Sequence, residues 1–201
     1  MRNSVLVLIA LFYSVYAFSG NKLYDIEKKR IGLAFEITKF PHSFGYGGKL
    51  NAPFFDVERM RTTFKVHHLQ YKNSQYSSKS NSFQSAEVGT VGIVSQLDSP
   101  FRFYGEGGLS FLIAPDLTAN PFNVGGYGLF GCEVITSSNE KEFPPITYFI
   151  EMGAHGNTGK IEKKLPTQER QFQIASGLSI KLGLNFNFSW DKITQQKSPN
   201  S

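Results

Sequence analysis

The side chains best suited to chemistry are four histidines, His42, His67, His68 and His155, and one cysteine, Cys132. His67 and His68 are adjacent, and neighbours on an extended strand point to opposite faces, so the two cannot share a metal ion. One cysteine makes no intramolecular disulfide and no cysteine-based zinc site, so Cys132 reads as a small semi-polar side chain. His155 is more suggestive, because Glu151 precedes it and Asn157 and Thr158 follow. Hydrolysis would add a nucleophile within hydrogen-bond reach of that imidazole, yet the local sequence His155-Gly156-Asn157-Thr158-Gly159 has no serine. A lining or capping role fits these residues better than catalysis, and no cofactor or metal is expected. Arg102 and Glu106 lie four apart and point the same way on a strand, away from its aromatic face. Glu36, Glu151 and Lys181 do the same in their own stretches. These five residues form the expected interior polar network, with Arg102 and Glu106 as a salt bridge filling the interior rather than a gate or solute site.

The elements that must carry them alternate apolar with polar or small residues, in eight stretches bounded by Asn, Ser, Pro and Gly clusters. These are residues 30–38, 44–54, 62–71, 86–96, 101–113, 124–134, 146–156 and 171–190. Apart from 23–30, a charged stretch that could make one turn, nothing shows a helical period. Gly105, Gly107 and Gly108 precede no helix, so they accommodate strand curvature rather than a phosphate. In the last stretch Phe172, Ile174, Leu178, Ile180, Leu182, Leu184, Phe186, Phe188 and Trp190 share one parity, which only Ser176 breaks. Soluble strands run about 5–6 residues, and tilted membrane-crossing strands need about 9–11. Length therefore favours an inverted barrel, apolar face in lipid and charges inside. Aromatic strand ends at Phe101, Tyr148 and Trp190 suit the lipid–water boundary.

The start of the chain supports export. Arg2 precedes the uncharged run 5–12, and small or tolerated residues lead to an expected cleavage between Ala17 and Phe18. That is the pattern of a Sec-type signal peptide, too short to span a bilayer. The organisation expected is a signal peptide over 1–17, a short periplasmic segment over 18–29, a barrel over 30–190 and a polar tail over 191–201. A formal charge of +5 on 201 residues comes with no basic run or nucleic-acid motif, so no nucleic-acid partner is expected. Residues 72–85, 114–123 and 157–170 are long polar connections at odd positions, as outer loops should be, and 97–100 is a tight turn. At 135–145 the connection is long for a periplasmic turn.

Lys181-Leu182-Gly183-Leu184-Asn185-Phe186-Asn187-Phe188 resembles the assembly signal in the last strand of small outer-membrane β-barrels of the OmpA and OmpX type, and of related porin-like domains. Its marks are a polar residue, Lys181, a glycine two later, Gly183, then aromatics at Phe186 and Phe188. The stretches 101–113 and 148–156 are similar to the glycine-rich strands of that family. The polar tail after Trp190 departs from it, since members commonly end at the aromatic residue. The resemblance implies an all-β, eight-stranded, antiparallel up-and-down transmembrane barrel in the outer membrane, with loops extracellular. It also implies outer-membrane lipids, the barrel assembly machinery and periplasmic chaperones as partners of a monomer. A structural, surface-interaction or narrow-solute role without catalysis is expected. The alternatives are a lipid-modifying enzyme of the lipid A deacylase kind, a small diffusion pore, or a soluble lipocalin-like periplasmic binder.

Overall fold

The computed structural model describes residues 30–53, 59–71, 81–95, 99–114, 122–136, 146–157, 160–161, 172–173 and 175–189. The expected signal peptide with its Ala17–Phe18 junction, the segment to residue 29, Trp190 and the polar tail lie outside them. Among the described residues there is no helix. Eight strands close into one antiparallel barrel: β1 (Arg30–Lys39), β2 (Ser43–Pro53), β3 (Met60–Tyr71), β4 (Asn81–Ile93), β5 (Phe101–Ile113), β6 (Phe122–Ile135), β7 (Ile146–Asn157) and β10 (Gly177–Ser189). Each pairs with its barrel neighbour in the chain, and β1 closes on β10 from Arg30↔Ser189 to Lys39↔Ile180. This is the small-barrel architecture that the resemblance to the OmpA and OmpX type implies. Closure leaves no unpaired sheet edge. Two short strands, β8 (Lys160–Ile161) and β9 (Phe172–Gln173), form a separate ladder.

The last strand is shorter than its parity suggests. Residues 171–190 read as one stretch, but the wall strand begins at Gly177, and Phe172–Gln173 pairs with Lys160–Ile161 instead. Ala175 and Gly177 both have positive φ, 48° and 92°. A left-handed residue reverses the extended path, so alternation cannot run through it. Local hydrogen bonds fix the break: Asn157 Nδ2 donates to the Ala175 carbonyl (2.7 Å), and Ser176 Oγ donates to the His155 carbonyl (3.0 Å). The fourth strand is displaced in the other direction, starting at Asn81 rather than residue 86. Its ladder with β3 runs on to Tyr71↔Asn81, and backbone pairing does not require the outward Ser82 and Gln84 to be apolar.

The barrel interior is tightly filled. At the end carrying the β1–β2 turn, Phe40, Leu69, Tyr71, Phe83, Leu112, Ala114 and Ala175 form a buried apolar plug. At the opposite end Val91, Ile93 and Tyr104 make a smaller cluster. Two glycines have a steric purpose. A Cβ on Gly131 would collide with the Tyr104 ring and one on Gly183 with the Phe149 ring, so their absence lets those rings lie against the wall.

Candidate functional site

The lumen between these end clusters is built from the inward parity of every wall strand. Its middle layer begins with a conflict, because Lys49 of β2 and Lys65 of β3 are direct cross-strand partners. Like charges so placed repel. Carboxylates from the far wall resolve it. Lys65 Nζ lies 2.8 Å from Glu106 Oε1 of β5 and 3.0 Å from Glu151 Oε2 of β7. Lys49 Nζ lies 2.5 Å from Glu151 Oε1 and 3.3 Å from Glu106 Oε2. Two ammoniums and two carboxylates thus form a ring across the lumen. Tyr104 donates to Glu151 (2.8 Å), and Tyr127 (2.7 Å) and Thr63 (3.0 Å) donate to Glu106. The Phe149 ring centroid lies 5.0 Å from Lys49 Nζ, a cation–π contact that adds to the attraction where water is excluded.

Above it, towards the apolar plug, Lys181 Nζ of β10 binds Glu87 Oε2 of β4 at 2.7 Å. His155 Nε2 meets Glu87 Oε1 at 3.1 Å, and its Nδ1 lies 3.1 Å from Ser179 Oγ. His67 repeats the arrangement, with Nε2 on Glu36 and Nδ1 3.3 Å from Ser85 Oγ. The lumen therefore holds two serine–histidine–glutamate chains. Below the middle layer Glu133 takes Arg61 at 3.2 Å, with Arg102 at 3.7 Å. A small cavity opens there, lined by Lys49, Asn51, Arg61, Tyr104, Glu133 and Asn185, with about 10 Å³ of free volume. That is room for a single water.

Arg102, Glu106, Glu36, Glu151 and Lys181 all lie inside the barrel, none more than 5% exposed. The structure does not pair them as the sequence suggests. Arg102 is set beside Glu133, its direct cross-strand partner on β6, and Glu106 takes Lys49 and Lys65 from across the lumen. Sequence reasoning does not single out Lys49, Lys65, Glu87 or Glu133, and it weighs His67 only as a metal ligand shared with His68. Lys65 carried a usable signal, standing at the opposite parity between Phe64 and Val66. The serine missing near His155 comes from β10, 24 residues later. His67 and His68 do face opposite ways: His67 is 1% exposed, and His68 lies outside, tilted against Tyr46 at 5.7 Å between centroids. Cys132 is a free, half-buried thiol.

The outer surface is the converse of the lumen. Phe35, Tyr46, Phe130 and Leu182 are each more than half exposed, whereas Lys65, Glu151 and Lys181 are at 0%. Of the last-strand residues singled out, Lys181 points inward, and Phe186 and Phe188 point outward. Outer aromatics pack against one another along the wall. Phe101 packs edge-on to Phe103, which stacks on Phe130, and Phe111 stacks on Phe122 near the plugged end.

No protein-family model and no curated protein matches the chain. Among solved structures it is similar to the crystal structure of the N-terminal β-barrel domain of Pseudomonas aeruginosa OprF, with 11% identity and a TM-score of 0.47, over 80% of this chain and 98% of that one.

Proposed function

We propose that this chain is an integral outer-membrane β-barrel with a structural or surface-interaction role and no catalysis. The observation that carries the reading is the inversion of polarity, with ionised groups sealed in the lumen and large apolar side chains exposed around the wall. In water that surface would be a very large apolar patch, whereas in a bilayer it faces hydrocarbon. The wall strands, 10 to 14 residues long, suit a tilted crossing of about 9–11. The end carrying the β1–β2 turn is the extracellular one in this reading, since it bears three long connections, 72–80, 114–121 and 158–176, against one, 136–145, at the other end. The barrel works as a monomer whose wall contacts outer-membrane lipids. The assembly machinery reads the last strand, after periplasmic chaperones have delivered the chain.

Membrane fractionation with gel migration tests this directly. The protein is expected to stay with membranes in alkaline carbonate and to migrate differently before and after boiling. Release into the soluble fraction with no migration shift would favour the soluble binder and end the proposal.

The filled lumen supports a structural role over a diffusion pore. Ion pairs, aromatic rings and an apolar plug occupy the path, as is usual when only eight strands enclose it. Purified protein in planar bilayers is expected to give no stepwise conductance. Reproducible steps would mean that the plug opens. Burial likewise supports the absence of catalysis, because Ser179 is 0% and His155 4% exposed. The Tyr127 ring stacks on His155 at 5.3 Å and covers one face of the imidazole.

A further inference from the structure

The apolar wall is not equally tall around the barrel. On β10 six large apolar side chains, from Leu178 to Phe188, face outward in unbroken alternation. On β3 the outward Phe64 and Val66 give way to His68 and Gln70, and on β4 only Ala86 and Val88 stand between Gln84 and Thr90. Two cross-strand rows at the end carrying the β1–β2 turn make the difference. One row runs Lys39, Phe44, Gln70, Ser82 across β1 to β4, and the next runs Tyr46, His68, Gln84 across β2 to β4. On its other side Gln84 is level with Ile113 of β5, and Ile113 with Phe122 of β6, both apolar and exposed. The polar patch therefore lies beside apolar wall of the same level.

An amide or imidazole at the edge of hydrocarbon must find a polar partner. We infer that this patch binds the headgroup of a phosphorylated glycolipid of the outer leaflet, of the lipid A class. The inference rests on the outer-membrane reading and names a lipid partner for one face of the wall. Three features select that headgroup. Lys39 is exposed on the outer face, and every carboxylate among the described residues is buried in the lumen, so the patch is cationic and suits phosphate. The Gln70 and Gln84 amides and the Ser82 hydroxyl both donate and accept hydrogen bonds, as sugar hydroxyls require. The row from Lys39 to Ser82 crosses four strands, about 14 Å at roughly 4.8 Å per strand. That width fits a sugar-bearing headgroup better than a compact one.

Refolding into phosphatidylcholine vesicles, with and without a minor share of lipid A, tests this across a urea series. Lipid A is expected to raise the folded-to-unfolded ratio of the wild type about tenfold, as a ligand of the folded state does. Gln70→Leu combined with Gln84→Leu continues the apolar wall of β5 across the patch. That variant should fold in phosphatidylcholine as well as the wild type and gain less than about twofold from lipid A. Lys39→Gln should keep only part of the gain, the same part that lipid A stripped of its phosphates gives the wild type. An equal gain in the wild type and the double variant, or no gain in either, would overturn the inference. So would a disulfide joining two copies that carry Gln84→Cys and Cys132→Ala in the presence of lipid A, since a second chain would then occupy the patch. Failure to insert into either vesicle would remove the membrane reading and this site with it, whereas insertion without the lipid A difference would remove this site alone.

Discussion

Glu151→Gln is expected to lower the stability of the barrel by about 3–5 kcal/mol, because it removes one partner of a buried ion cluster and leaves charge uncompensated. Glutamine keeps the volume, so no cavity forms and the loss is electrostatic. Glu151 touches Lys49, Lys65 and the Tyr104 hydroxyl, and in the variant Glu106 alone would face two cross-strand lysines. The folded fraction, followed by gel migration across a urea series, gives the number. Adding Lys49→Met restores the balance of one cation to one anion in the ring, so the double variant should recover more than half of the loss. A drop below about 1 kcal/mol for the single variant would place it among ordinary surface pairs and argue that the lumen is hydrated.

How much of this lumen was legible depended on which interaction fixes each feature. Strand parity is local, so the outward run from Leu178 to Phe188 and the inward Lys181, Glu36 and Glu151 follow from alternation alone. Where polar and apolar residues are mixed on both faces the signal fails. In β4 the inward Val91 and Ile93 belong to an end cluster, and outward Thr90 and Gly92 are not hydrophobic, so neither face of that strand stands out. The buried Glu87 in the same strand was lost with it.

Partnership across the lumen was not legible at all, because it depends on strand tilt and on which walls meet. Arg102 and Glu106 looked like a pair by spacing, yet each found its partner on another strand. Ser179 reaches His155 only through the β7–β10 ladder, where Ser179 is level with Gly153, one inward step from His155. The break before β10 was half visible. Ser176 interrupted the apolar parity, but the left-handed turn at Ala175 that causes the interruption leaves no mark of its own, since alanine rarely adopts it.

The wall offers the sharpest division between the membrane reading and the soluble one. Leu182 sits near the middle of β10, 53% exposed, with Ile37 and Ile150 level with it on the flanking strands. If that level lies at the bilayer midplane, Leu182→Arg should cost about 2–4 kcal/mol, and Phe188→Arg, close to the end of the strand, about 0–1. The difference arises because a guanidinium at mid-depth must drag water inward or deform the bilayer, whereas one near the rim reaches the headgroups. In a soluble barrel the same leucine would face water, and arginine there would be neutral or mildly favourable, with no dependence on position along the strand. Refolding both variants into lipid vesicles across a urea series separates the cases. A loss at Leu182 well above that at Phe188 places hydrocarbon against the centre of the wall, and equal small effects would remove the bilayer from the account.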